Sequence, residues 1–261
     1  MISTILHSKK GEGSGKRITY AVSFVFWIAV WQIVSVIVSS DVLLPSPVKV
    51  VTRFASLVSE LTFWSAAGCS VLRILTGFFS ALAIGVLLAV LSGAFSFARI
   101  ITEPFMTVMK SVPVASFVIL ALLWLNPESL SAFIAFVMVL PIIYINTLSG
   151  INACDSKMLE MAKVFAVSPM KKMIYVVMPY VIPYFKSGCA VALGLCWKAG
   201  IAAELIGVPD GTIGEQLYFS KVYFEMADLF AWTIAIILIS AAFEKLFMFV
   251  LNYAVRIYER K

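Results

Sequence analysis

The sequence predicts an all-α, polytopic membrane bundle of six transmembrane helices, and three observations carry that prediction. Hydrophobic residues make up 62% of the 261-residue chain and charged residues only 13%. An ordinary soluble domain carries about 25% charged residues, so this balance cannot cover a water-facing surface. The apolar residues are gathered into blocks of roughly 20, long enough to cross about 30 Å of hydrocarbon as helix. Alternating strands of about ten residues are absent from the pattern, which argues against a β-barrel.

The blocks fall at Ile18–Val38, Ser70–Ser92, Pro104–Leu125, Leu130–Leu148, Tyr180–Glu204 and Leu229–Ala254. The first follows Lys9, Lys10, Lys16 and Arg17, as a secretory signal would. It runs on into "SSDVLLPSP" without a small-residue cleavage site and reads as an uncleaved anchor. Beyond it, Ser46 and Pro47 form an N-cap and first-turn pair. Val48, Val51, Ala55 and Val58 then share one face and Lys49, Thr52, Ser56 and Glu60 another. That pattern predicts an interfacial helix on the outer leaflet, fixing the first span against the bundle. Pro113 and Pro141 predict kinks in the third and fourth spans, tolerated where freed backbone groups find partners.

Six spans place both termini on one side of the membrane. Basic residues in the N-terminal tail, Arg99, the four lysines between Cys154 and Lys172 and the terminal "RIYERK" all share that side. By the positive-inside rule it is the cytoplasm. The layout is a cytoplasmic tail (1–17), a transmembrane domain (18–254) and a cytoplasmic tail (255–261), in a bacterial inner membrane. The net charge of +6 follows from this bias, so no nucleic-acid partner is implied.

Ionisable residues inside spans are costly, about 2.5 to 3.5 kcal/mol each at the centre, and point to function by default. Arg73 sits near the outer end of its span and can snorkel. Lys110 and Glu244 both lie toward the cytoplasm and are expected to pair, with Lys245 reaching the headgroups. Lys198 follows Trp197 about six residues short of the outer end of the fifth span. It has two open roles, attracting an anionic solute or snorkelling to a neighbour. Glu204 either shapes an outer gate or sits in water, before a tight loop marked by Gly207, Gly211 and Gly214.

Cys69, Cys154, Cys189 and Cys196 lack ligand or redox spacing, and His7 is the lone histidine, in the tail. No metal site, cofactor or catalytic set is predicted, and "GEGSGKR" lacks the spacing of a nucleotide-binding loop. ATP chemistry, if used, belongs to another chain.

One segment breaks the apolar pattern, "EMAKVFAVSPMKKMIYVVMP" from Glu160 to Pro179. Met158, Met161, Ala162 and Phe165 recur at helical spacing, with Lys157, Glu160 and Lys163 toward water. Ser168 and Pro169 then predict the cap and first turn of a second short helix carrying Lys171 and Lys172. Two amphipathic helices joined by a tight turn project into the cytoplasm, and such a surface fits a groove on a partner.

The spacing of this segment resembles the cytoplasmic signature of the membrane-spanning permeases of binding-protein-dependent ABC importers. Glu160-Met161-Ala162 stands for Glu-Ala-Ala. Ala166 falls in the place of the signature's glycine, Val176 in that of its isoleucine, and Met178-Pro179 close it. "LRILTGF", "KSVPVASF" and "AEL" (Ala203–Leu205) are similar to the nitrate, sulfonate, taurine and thiamine-precursor branch. The resemblance implies a permease subunit, dimeric with a second copy, whose segment 157–172 docks on cytoplasmic ATP-binding subunits. It also implies an extracytoplasmic solute-binding protein and a small organic anion or vitamin-precursor-like solute. With alanine at 166, the turn either adopts right-handed geometry or carries strain. An ion-coupled secondary transporter is the alternative reading.

Overall fold

The computed structural model describes residues 12–260. His7, Lys9, Lys10 and Lys261 lie outside the described residues. Helix α1 (Glu12–Val38) begins inside the stretch read as a tail. The connection that follows is pinned back onto it, Trp31 Nε1 donating to the Pro45 carbonyl (3.2 Å) and Ser35 Oγ to that of Leu44 (3.0 Å).

Helix α2 (Pro47–Val58) starts as expected, with the Ser46 side chain accepting from the Lys49 N–H. The face it buries is not the expected one. Val50 and Leu57 are buried and Phe54 is half-buried, whereas Val48, Val51 and Ala55 are exposed. Residues 50, 54 and 57 share a face one step round the helix, and the larger phenylalanine and leucine bring more contact area to the bundle. Arg53 grips Asp228 with both ends of its guanidinium, Nη2 lying 2.7 Å from Oδ2. This bidentate geometry fastens α2 to the start of the last helix and raises the arginine above its ordinary pKa, chiefly through the hydrogen bond itself.

The second expected span is a longer helix, α3 (Leu61–Ala94). The third is not one helix. Helices α4 (Ser96–Ser111) and α5 (Val114–Ala121) meet at 103°. Pro113 is the cause, because a proline drives the preceding residue from helical geometry, and Val112 is extended at φ −76°, ψ 129°. By contrast α6 (Pro127–Asn152) runs through Pro141 unbroken.

The fifth span, α9 (Met178–Gly207), is continuous with a short α8 (Pro169–Lys172) through one π-helical turn at Met173–Val177. The connection after α9 holds an unexpected helix, α10 (Ile213–Val222), capped by the Thr212 side chain. The chain closes with α11 (Met226–Glu259). Helices α3, α6, α8–α9 and α11 are each long and apolar enough to cross a membrane. The bent α4–α5 pair counts as a fifth crossing if it is one span, and Val22–Val38 of α1 is apolar.

Helix α6 is the centre of the bundle, packed mainly on α3 and α9. Small residues allow this. Gly77, Ala81, Gly85 and Ala89 repeat every fourth residue along one buried face of α3. In a membrane, where lipid and side chain are equally apolar, such stripes let helices approach and gain dispersion contact. Gly85 faces Ile143 and Gly188 faces Asn146, so a β-carbon at either would sit about 3 Å from its neighbour.

At Gly77 a β-carbon would land on the Ala132 carbonyl oxygen, whereas Gly68 has open space. Gly77→Ala is expected to destabilise the bundle by about 1–3 kcal/mol, read as a lower melting temperature in detergent. Gly68→Ala should leave it unchanged. Equal melting temperatures would mean α3 and α6 do not pack this closely.

Candidate functional site

Three places collect the polar residues of this apolar chain. The first is the segment singled out by its sequence. Helix α7 (Ser156–Val164) is capped by Asp155, which accepts from the Lys157 N–H at 2.9 Å. It ends in a Schellman motif. The Val167 N–H bonds the Ala162 carbonyl (2.9 Å), and the Ala166 N–H bonds that of Lys163 (3.1 Å). Ala166 takes the left-handed position with φ 50°. Of the two expected outcomes, the turn keeps the geometry suited to glycine and carries the strain. Ser168 is extended before Pro169, as expected, but makes no side-chain cap, and α8 is a single turn.

The packing of α7 is narrower than its apolar spacing implied. Ala162 alone is buried, while Met161, Val164 (80% exposed), Phe165 (74%) and Met170 (71%) stand open. Glu160, Lys163 and Lys171 are exposed beside them and Lys172 is half-buried. Four large apolar side chains thus crown a polar projection without cover from the described residues.

The second place is a cleft of about 440 Å³ between α9 and α11, where Trp197, Lys198, Ser240 and Glu244 meet. Lys198 is exposed, and Trp197 is buried edge-on to Phe243. Glu244 shares this cleft and makes no ion pair with the expected partner, Lys110. The reason is topological, because Lys110 ends α4, which packs on α3 and α6. Tyr184, Ser187, Val191 and Lys198 form an exposed stripe at spacings of three and four along α9, with Gly194 between and open space above it. A face of tyrosine, serine and lysine is unsuited to acyl chains and suits a wet pathway. Sequence reading found Lys198 and missed the stripe, although its helical spacing was legible.

The third place is the end of the bundle where α9 meets α10. Glu204 is fully buried, not on a cleft wall and not in water. Its Oε2 accepts from Ser70 Oγ (2.6 Å) and from the Gly214 N–H (3.3 Å), while Ser70 Oγ accepts from the Ile213 N–H (2.9 Å). One carboxyl group therefore joins α3, α9 and the N-terminus of α10. Gly214 is needed because a β-carbon there would overlap Glu204. Arg73 does not simply snorkel. One guanidinium nitrogen is buried without a partner, close enough for its charge to act on Glu204. No sequence signal marked Ser70, since its partner lies 134 residues away.

A bundle of membrane-length helices with an exposed amphipathic turn, and a largely apolar cleft between spans that holds Lys198 and Glu244, fits a membrane transport component. Residues 81–261 match the family described as "Binding-protein-dependent transport system inner membrane component". The chain belongs to that family and is a permease of an ATP-binding-cassette importer, multi-pass in the inner membrane. A putative aliphatic sulfonates transport permease of Escherichia coli (strain K12) is 33% identical over 70% of this chain and 71% of its own. One of the same description from Bacillus subtilis (strain 168) is 27% identical over 78% and 74%. A nitrate import permease of Synechococcus elongatus is 28% identical over 75% and 73%. The crystal structure of an amino acid ABC transporter with histidines superposes with a TM-score of 0.54 at 17% identity, covering 79% of this chain and 97% of that one. This family is one of transport permeases, so the ion-coupled carrier reading is set aside.

Ser70→Ala is expected to cost about 1–3 kcal/mol by leaving buried groups unpaired, seen as a lower melting temperature. Ala166→Gly should relieve about 1–2 kcal/mol of turn strain, seen as slower proteolytic cutting between residues 163 and 170. Faster cutting would mean the turn is not left-handed.

Proposed function

We propose that this permease, paired with a second copy of itself, forms the pathway by which a small organic anion enters the cell. A binding protein outside delivers the solute. Separate cytoplasmic ATP-binding subunits hydrolyse ATP and dock on segment 157–172, with both termini on their side. The observation that carries the docking is the apolar crown of Met161, Val164, Phe165 and Met170, exposed on a capped, rigid turn. Exposed aromatic and methionine side chains on an ordered element are typical anchors for a partner's groove. Glu160, Lys163, Lys171 and Lys172 supply a charged rim that sets register, and Ala162, Ala166, Ser168 and Pro169 hold the shape. The anionic solute is supported by the printed substrates of the relatives, sulfonates and nitrate, and by Lys198 in the cleft beside Trp197. Glu204 leaves the pathway in this reading and becomes the lock of the outer end.

The docking reading is tested by pull-down of the ATP-binding subunit. Phe165→Ala removes an anchor of about 2 kcal/mol, which lowers retention roughly thirtyfold, and Glu160→Lys should weaken it further. Retention at the wild-type level in both variants would reject the segment as the docking site. Lys198→Met should impair uptake of an alkanesulfonate or nitrate, with Lys198→Arg retaining more. Normal uptake in the methionine variant would leave Lys198 without a role in the pathway.

Orientation is tested separately with single cysteines in a chain whose Cys69, Cys154, Cys189 and Cys196 are replaced. Positions 49 and 221 should react with an impermeant reagent in whole cells and position 171 should not. External reaction at 171 would overturn the topology.

A further inference from the structure

Between the docking turn and the span that lines the cleft lies the single π-helical turn Met173–Val177. Its register is set by the Met178 N–H, which bonds the Met173 carbonyl. The next bond of that register would run from the N–H of residue 179 to the Ile174 carbonyl. Residue 179 is proline and has no N–H. The Ile174 carbonyl is thereby released from its own helix, and the Tyr258 hydroxyl, 84 residues further along the chain, donates to it.

Two residues on, the Val176 carbonyl is approached by the Cys154 thiol at 3.8 Å. Cys154 lies in the connection between α6 and α7. Burial first, and then the charge of Asp155, push this thiol up from its ordinary pKa, so the sulfur keeps the proton it donates.

One turn is therefore held from two sides, by the end of α6 and by the end of α11. Around the Tyr258 contact the packing is open. A groove of about 650 Å³ separates the two elements, lined by Tyr175, Met178, Pro179, Ile182, Pro183 and Tyr258 among others. With little packing to fix the end of α11 here, the hydroxyl bond is the specific link. Single π turns within helices are frequent at functional positions, because the register they hold is costly and is kept by outside partners.

We propose that Tyr258 is a positioning residue for coupling: its hydroxyl, on the carbonyl that Pro179 frees, ties the π turn to α11, so that a push on α7–α8 moves both α9 and α11, the two walls of the Lys198 cleft. The inference rests on the docking reading above. It adds that the last helix is driven through one tyrosine and does not follow passively.

The test uses the whole permease with its ATP-binding subunits in lipid nanodiscs. Spin labels go on Val191→Cys in α9 and Ile237→Cys in α11, both exposed, with labelled subunits diluted among unlabelled ones. Cys69, Cys189 and Cys196 are replaced by alanine and Cys154 by serine, whose hydroxyl keeps the donor. In the parent complex, trapping with ATP and vanadate should change the distance between the labels. Tyr258→Phe should retain the ATP-binding subunits and trap nucleotide normally, yet lose that change. A distance change retained in Tyr258→Phe overturns the inference while leaving docking intact. No nucleotide-dependent change in the parent complex, despite normal trapping, defeats the coupling reading and this inference with it.

A second variant separates positioning from local helix repair. Pro179→Ala in the Tyr258→Phe background returns a backbone donor to the turn but not the link to α11. It should trap nucleotide and still lack the distance change. Recovery of the change would show that Tyr258 merely satisfies a carbonyl, and the inference would fall.

Discussion

Hydrocarbon offers no hydrogen bonds, and that constraint governs this chain. Each backbone N–H and C=O in the membrane needs a partner within the protein, which restricts the spans to helix. Breaks are consequently informative, because the backbone groups they free have to be satisfied elsewhere. At Pro113 the chain turns through 103° and begins a new helix. At Pro179 a tyrosine from the last helix takes the freed carbonyl. Where α9 meets α10, Glu204 and Ser70 satisfy the first N–H groups of α10.

The same constraint separates rigid from adaptable parts. Helices α3, α6 and α9 are joined by small residues so closely that a β-carbon at several positions would meet backbone or branched side chains. This central layer is a single packed unit, with the Glu204–Ser70 hydrogen bond at one end. Helix α11 is different. Few of its residues are buried, and it is held by Arg53 at its start, by aromatic contacts such as Phe63 with Trp232 and Phe78 with Phe247 along its length, and by Tyr258 near its end. A helix fastened at discrete points can shift against a rigid layer, and the Lys198 cleft lies along that boundary.

The turn after α7 shows that left-handed geometry can be held without the glycine best suited to it. Ala166 occupies a left-handed position that disfavours a β-carbon, but the two reciprocal bonds of the Schellman motif fix its φ. Val208, with its branched side chain, is also left-handed and closes α9 with a single bond, its N–H donating to the Glu204 carbonyl at 2.7 Å. At Ala166 the strain is held by the Val167 N–H bond to the Ala162 carbonyl, which right-handed geometry would forfeit.

The sequence by itself determined the membrane class, the six apolar blocks, the Ser46–Pro47 helix start and the projecting segment with its signature spacing. Each of these is a local pattern, set by composition, periodicity or a cap within a few residues. What it left open or misread depended on partners distant in the chain. Which face α2 buries, that Lys110 and Glu244 stay apart, that Glu204 is buried against Ser70, and that Tyr258 serves a carbonyl freed by Pro179 were decided only by tertiary structure. A side chain's role inside a bundle is set by what stands opposite it, and the partners of Ser70 and Tyr258 lie 134 and 84 residues away. Sequence spacing records the period of a helix and not the identity of its neighbour.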